Sequence, residues 1–517
     1  MPRGFANRQS LHRHATGRCP SVRSHYHRAI ARLNAALTGA PISVIVNSHE
    51  QKKITIDNNV KTGEELVSRV KRAMGLLGHE KVQLFLGGEP IEPKVQLAEK
   101  GIVNGTELDA VISINKPLYD YDDYDDGIGI REALRRWMDP EIRQDVVKEY
   151  GNIGEWNTSQ VTDMSKLFKK NAKFNEDISQ WDTSNVTDME GMFDNAQYFN
   201  KPLGAWDVSN VENMQCMFFG ARDFNEPLET WDVSRVEDMQ CMFAYARSFN
   251  KLLEAWDVSR VKDMNNMFYF ATSFNQPLEG WGEKVDRVKN MNSMFCEAHN
   301  FDRPLEAWNV SSVTDMGNMF YCAKRFNKPL EGWGEKVGSV KTMYRMFKGA
   351  LTFNQPLEAW NVSSVQNMAS MFTHAHKFNE LLGAWNVSNV KDMNSMFEHA
   401  GSFNKPLGAW DVSNVENMSN MFENAESFNQ PLEAWDVSSV NNMTSMFENA
   451  ESFNQPLEEW DVGRVKDMNC MFWNAKAFNQ PLEKWGEKVI VKNVIGMSNM
   501  LHDATSFEQF PTWYKAH

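Results

Sequence analysis

The chain has 517 residues, 42% of them apolar and 24% charged, with a formal net charge of −14, ordinary values for a globular protein. The charge is uneven: residues 1–48 hold seven Arg and no acidic residue, which leaves −21 on the remainder. An acidic body lacks the basic footprint that nucleic acid or an anionic membrane requires, no apolar run reaches the roughly 18 residues of a membrane helix, and six Cys are too sparse for a disulfide framework.

Residues 1–41 read as a basic disordered tail or a transit-like segment. They are rich in Arg, free of acid, and contain "HRAIARLNAAL", which has the pattern of a basic amphipathic helix. No long apolar signal core is present. A cytoplasmic location is the expectation, with an organelle reached through the N-terminus as the alternative.

Residues 42–114 have a different texture. "ISVIVNSHEQKKITID" alternates like a hairpin, and "TGEELVSRVKRAMGLLG" is an amphipathic helix capped at Thr62, with Glu65 three residues on. "VQLFLGGEPIE" and "GTELDAVISI" read as further strands. The order strand, strand, helix, strand, short helix, strand resembles that of ubiquitin-like β-grasp domains. The resemblance implies an apolar docking patch on the sheet, at His49, Phe85 and Val111 with Asp109 nearby. Only two of the three core positions are apolar, and "SINKP" (113–117) stands where a Gly-Gly conjugation tail would be. An integral docking module is expected, or one that only folds and spaces. Residues 115–127, with "PLYDYDDYDDG", read as a self-repelling acidic linker.

From Trp156 to Trp513, Trp recurs every 25 residues, stretched to 27 twice and to 28 at the end, giving 14 units. Long units carry "WGEKV" (Trp281, Trp333, Trp485) in place of "WDVS", so the insertions fall in one loop. A fixed period of this length marks stacked repeats whose apolar faces are buried only by neighbours. After Trp256, apolar residues at Val261, Met264, Met267, Phe268, Ala271 and Phe274 step by three and four, which predicts a short helix capped at Asp263. Pro277 then ends it, and "FNQPLEGW" predicts an extended segment. Each unit is thus expected to be one strand and about two turns of helix. Met and Trp are expected in the core, although strict alternation from Leu278 would put Trp281 on the opposite face, so the strand must bend or end between them. The recurring Asn after Phe predicts an amide ladder, broken at Asp302 and Glu508. Cys216 and Cys241, at one repeat position, are expected to be a reduced buried pair.

"WDVSNVENMSNMFENAESFNQPLEAWDVSSV" (410–440) resembles the BspA-like leucine-rich-repeat relatives, in particular the 25-residue repeat of mycoplasma surface lipoproteins called domain of unknown function 285. The likeness spans roughly residues 130–513, and residues 128–155 resemble that family's N-terminal helical cap. It implies an α/β architecture: a leucine-rich-repeat-like solenoid of about 14 strand-helix units over 156–517, preceded by the small α+β domain. It also implies an interaction surface. Adhesion, the role of bacterial relatives, fits poorly with a chain showing neither lipoprotein nor secretory signal, and sequons such as Asn309-Val310-Ser311 mean little without secretion.

No catalytic constellation is present: no HExxH, no GxxxxGK[ST], no GxSxG, no CxxC. "THAHK" places His374 and His376 two apart, with His399 at the His374 repeat position and no evident third ligand, so a solvent-facing row is the simpler reading and no metal or cofactor is expected. The residue after the repeated Leu is Glu at 229, 254, 279, 306, 331 and 358, and Asp follows many Trp. This acidic stripe is a candidate contact for a basic partner segment or divalent cations, against the simpler reading of a solvated face. The expected function is non-enzymatic protein recognition, with Arg235, Lys262, Tyr269 and Arg345 among the residues selecting the partner. A surface adhesin and a ubiquitin-pathway adaptor are the alternatives.

Overall fold

A computed structural model of the chain describes residues 41–46, 52–57, 62–74, 80–86, 89–91, 107–114, 116–121, 128–489, 496–508 and 510–514. The N-terminal segment expected as a tail or transit sequence lies outside them, as does His49. The chain divides into two compact units, Met1–Pro117 and Leu118–His517.

In the first unit, β1 (Pro41–Val46) and β2 (Lys52–Asp57) pair antiparallel. α1 (Gly63–Met74) follows, its start fastened by the Glu65 amide donating to Thr62 Oγ1 at 3.2 Å. β3 (Glu80–Leu86), β4 (Glu89–Pro90) and β5 (Glu107–Ile114) complete a five-stranded sheet in the order β2-β1-β5-β3-β4, with β1 and β5 parallel at its centre. Leu66 and Val70 of α1 are fully buried, and Leu84 and Leu108 nearly so.

The second unit begins earlier than composition implies. The Leu118 amide donates to the Asn157 carbonyl at 2.9 Å, and Asp120 accepts from the amides of Thr162 and Asp163 at 2.8 and 2.9 Å. The start of the segment expected to be a linker is therefore bonded to the first repeat. Two helices, α2 (Ile130–Met138) and α3 (Arg143–Tyr150), cover that repeat, burying Ile130, Ala133, Leu134, Trp137, Val146 and Tyr150.

Among the described residues the repeats hold no strand-plus-helix unit; the short helical segments Glu279–Val285, Glu331–Ser339 and Trp485–Val489 belong to the three long units, at the insertion. Consecutive units are joined by single parallel bridges, from Asp163–Asp188 to Asp467–Gly496. Asp263, expected as a helix cap, is one of these bridge residues. Between bridge and Pro the chain makes tandem turns, because two residues in each unit, four apart, have positive φ: Asn266 and Phe270 at 56° and 55°, Ser395 and His399 at 54° and 56°. A left-handed residue every fourth position forbids an α-helix. It yields a regular alternation instead. The amides of Met264, Asn266, Phe268 and Phe270 donate to carbonyls of the next unit at 2.9–3.0 Å, while those of Met267, Tyr269 and Ala271 close turns on Met264, Asn266 and Phe268 at 3.0–3.1 Å. Tandem turns repeat their apolar positions by three and four, as a helix does. Periodicity alone therefore does not separate the two.

The inward columns are as expected. Met264, Met267, Phe268, Ala271, Phe274 and Leu278 are fully buried, as are their counterparts in most units. Phe rings stack from unit to unit, Phe168–Phe193–Phe218 at 5.4 and 5.5 Å. A turn resolves the parity conflict at Trp281: its amide donates to the Leu278 carbonyl at 3.1 Å, turning the indole back inside. From Trp181 on, the column's indole Nε1–H groups donate to the Leu or Ile carbonyl of the preceding unit, as for Trp281 to Leu253 at 2.9 Å and Trp333 to Leu305 at 2.8 Å; Trp156 donates to Gly151 in the cap.

The Asn column also differs from expectation. Its side-chain oxygen accepts the main-chain amide of the next Asn, as from Asn225 to Asn200 at 2.9 Å. Asp302 does not interrupt it: its amide donates to Asn275 and its carboxylate accepts from Asn327, both at 3.0 Å. The Glu508 amide likewise donates to Asn479 at 3.3 Å. The column requires an acceptor oxygen, which Asp supplies as well as Asn.

Two substitutions test this. Asn354→Asp is expected to leave stability nearly unchanged at neutral pH. Asn354→Leu strands the Asn379 amide, which donates at 2.8 Å, and is expected to cost about 1–3 kcal/mol, read as lost hydrogen-exchange protection around Asn379. Trp333→Phe strands the Leu305 carbonyl and leaves a cavity, an expected loss of about 2–4 kcal/mol in urea unfolding.

Candidate functional site

With core columns fixed from unit to unit, variation falls on the remaining positions, and four of these per unit lie together: the two left-handed residues and the residue before each. In one unit these are Asn265, Asn266, Tyr269 and Phe270; in others Gln240, Cys241, Ala244 and Tyr245, or Asn394, Ser395, Glu398 and His399. They form one face beside the inter-unit ladder. Every described Cys lies on it, as do His374, His399, Trp473 and Arg345.

The face changes character along the chain. At its start Lys166 pairs with Glu190 and Lys169 with Asp194, both at 2.8 Å. Then comes a half-buried aromatic cluster. Phe219 meets Tyr245 edge-on at 5.4 Å; Tyr245 meets Tyr269 edge-on at 5.1 Å and stacks on Phe270 at 5.2 Å. Burial, then the hydrogen bond with Tyr245, pushes the Tyr269 phenol up. Further on, the Arg345 guanidinium lies 4.5 Å over the Tyr344 ring, and its Nε is buried with no hydrogen-bond partner. His374, Glu398 and His399 follow. Beyond them burial, then Glu398 and Glu448, raises the Glu423 carboxyl to about 7.

The local backbone disfavours several of these residues. Positive φ suits Gly and Asn, and both recur there, as at Gly220, Asn424 and Asn449. Tyr245 at 59° and Phe270 at 55° occupy the same position, where a bulky side chain costs about 1–2 kcal/mol. Local rules are broken here on a face that the core does not need, which makes it the candidate functional surface.

Cys216 and Cys241 are free thiols in adjacent units, half-buried rather than buried. Their mutual hydrogen bond pushes Cys216 up. The Glu column lies elsewhere: Glu229, Glu279, Glu306, Glu331 and Glu358 are exposed and Glu254 is half-buried. The Asp residues after Trp do not join it as free ligands. Asp207 accepts from the Ser209 amide and hydroxyl at 3.0 and 2.6 Å, and Asp411 from those of Ser413 at 3.1 and 2.6 Å. The hydroxyl of Ser438, then its amide, lowers the carboxyl of Asp436 in the same way. Half of the expected acidic stripe is thus turn structure. Arg235 donates to Asn210 and Lys262 pairs with Glu237, away from the variable face. Phe85 and Val111 lie on β3 and β5, opposite Asp109 and Gln83 in the register, and their side chains are outside the described residues. Sequence reasoning missed the face as a unit, although residues that tolerate the left-handed region stand four apart in several repeats, as Gly191 and Asn195 or Asn420 and Asn424 do.

The family model described as Mycoplasma protein of unknown function, DUF285, matches residues 141–254, 248–337, 335–415 and 402–513. No curated protein and no solved structure matches the chain. No described helix is long and apolar enough to cross a membrane.

If the aromatics serve binding, Tyr245→Asn and Phe270→Asn should each change stability by less than about 1 kcal/mol, relief of backbone strain offsetting the lost ring contacts. A loss above about 3 kcal/mol in urea unfolding would assign the rings to folding instead.

Proposed function

The chain belongs to the mycoplasma family of unknown function whose model covers its repeats, and on that premise we propose that it is a non-enzymatic protein-recognition scaffold. The bridges and amide bonds from each unit to the next support reading residues 156–514 as a leucine-rich-repeat-like solenoid. The observation that carries the function is the variable face, where aromatic residues accept an unfavourable backbone beside a constant core. Half-buried Tyr and Phe offer large, rigid contact area, the composition of protein-binding hot spots. In the first unit, the strand order β2-β1-β5-β3-β4 with a helix between β2 and β3 supports a ubiquitin-like docking module.

The exposed Glu row supports a second, weaker contact. None of Glu229, Glu254, Glu279, Glu306, Glu331 and Glu358 forms an ion pair among the described residues, and stacked like charges repel until screened or matched. Thermal melts are expected to rise with added salt or millimolar calcium; no shift with either removes this contact.

Proximity labelling by the full-length chain tests the main reading. A partner labelled by the natural chain should be lost with Tyr245→Asn, Tyr269→Asn and Phe270→Asn combined, and kept with Glu229→Gln, Glu254→Gln and Glu279→Gln combined. Labelling unaffected by the aromatic changes would overturn the face assignment. A partner lost only when residues 1–117 are removed would move recognition to the first unit.

A further inference from the structure

We propose that His374, Glu398 and His399 form a binding site for a transition-metal ion of the zinc class. One ligand atom from each lies within 4.8 Å of the other two. Tetrahedral zinc with nitrogen and oxygen ligands near 2.0–2.2 Å needs those atoms roughly 3.4 Å apart. The remaining approach, up to about 1.4 Å, is within reach of side-chain torsions on a half-exposed surface.

Main-chain bonds bring the three together. His374 and His399 occupy the same left-handed position in adjacent units, with φ of 58° and 56°. The His374 amide donates to the Glu398 carbonyl at 2.8 Å, which holds Glu398 beside His374 while it adjoins His399 in the chain. The imidazoles stack with centroids 4.3 Å apart and planes 15° from parallel. Since lone pairs lie in the ring planes, one ring turns about its Cβ–Cγ bond to meet the ion. His376 Nδ1 contacts the His399 carbonyl at 2.9 Å and buttresses the site from outside; Asn424 Nδ2, 3.3 Å from His399 Nε2, donates to that nitrogen in the ion-free site and must give it up, or turn its amide to accept from Nε2–H, when the ion binds.

The donor set selects the ion. Two imidazoles and one carboxylate suit zinc and its neighbours rather than calcium or magnesium, which take oxygen. Three protein donors leave a fourth position, open towards the variable face, for water or for a donor from a bound polypeptide. The site stands whether or not that face recognises a protein.

The test uses chelator-stripped full-length protein, titrated with Co²⁺ by visible absorption and with Zn²⁺ by calorimetric competition. One tightly bound ion per chain is expected. His374→Asn with His399→Asn should weaken it at least about 100-fold and Glu398→Gln about 10-fold. Asn already occupies this position at Asn424 and Asn449, so the metal-free melting temperature of the double variant should stay close to that of the natural chain. The N-terminal His12, His14, His25 and His27 are a rival source of binding, and replacing all four by Asn should leave the tight ion in place. Absence of tight binding, or affinity unchanged in both the double variant and Glu398→Gln, would overturn the site.

Discussion

The structure depends on one main-chain device: an amide that bonds forward to the next unit alternates with an amide that closes a turn within its own. Two left-handed residues per unit make the alternation possible. With it, nearly every polar backbone group between bridge and Pro is satisfied without helix or extended sheet. The turn phase also decides which side chains face inward, so Met, Phe and Ala form columns and most left-handed residues stay half-exposed, with Ser293, Ser370, Ser395 and Ser445 buried among their neighbours.

Side-chain columns complete what the main chain leaves open. The indole N–H reaches the carbonyl before the Glu row, Asn oxygen reaches the amide after the next Phe, and the Asp after Trp holds its own turn. Two of these three bonds join one unit to its neighbour. A single unit therefore strands a buried carbonyl and an amide as well as an apolar face, and the terminal units need covers. α2 and α3 provide one at the first repeat, where the Asp120 carboxylate accepts from the Thr162 and Asp163 amides. At the other end Met497, Phe507, Trp513 and Tyr514 pack against the last buried residues.

The period, the inward Trp and the shared interior were legible because each is a column, and columns survive any folding of a unit that keeps its length. The local conformation was not. Val261, Met264, Met267, Phe268 and Ala271 have the same spacing in tandem turns as in a helix, and the deciding signal was polar: Asn266, Ser293, Asn318 and Ser370 lie where a helix would tolerate almost anything but a left-handed turn prefers Asn, Ser or Gly. Asp302 was read by residue identity when its role was to present an oxygen. The His374–His399 row was visible from the 25-residue period. Glu398 was not, because its place beside His374 follows from a forward amide bond rather than from sequence distance.

The same device fixes the spacing of side chains on the variable face. Its side chains are held on a backbone fixed by bonds to the next unit, so their spacing is set whatever they are. Replacing one changes neither the core nor the bridge. At the left-handed positions a bulky residue costs about 1–2 kcal/mol in backbone conformation, and at Gly220 or Gly349 a side chain would also press on Asn195 or Cys322 of the preceding unit. That penalty is shared by a long interior in which rings such as Phe193, Phe218 and Phe243 each touch both neighbours. A stack with so many redundant contacts tolerates Tyr245, Phe270 or a pair of stacked imidazoles where a smaller domain would require Asn or Gly. The excess stability of the core is thereby what lets chemically demanding side chains stand together on one face.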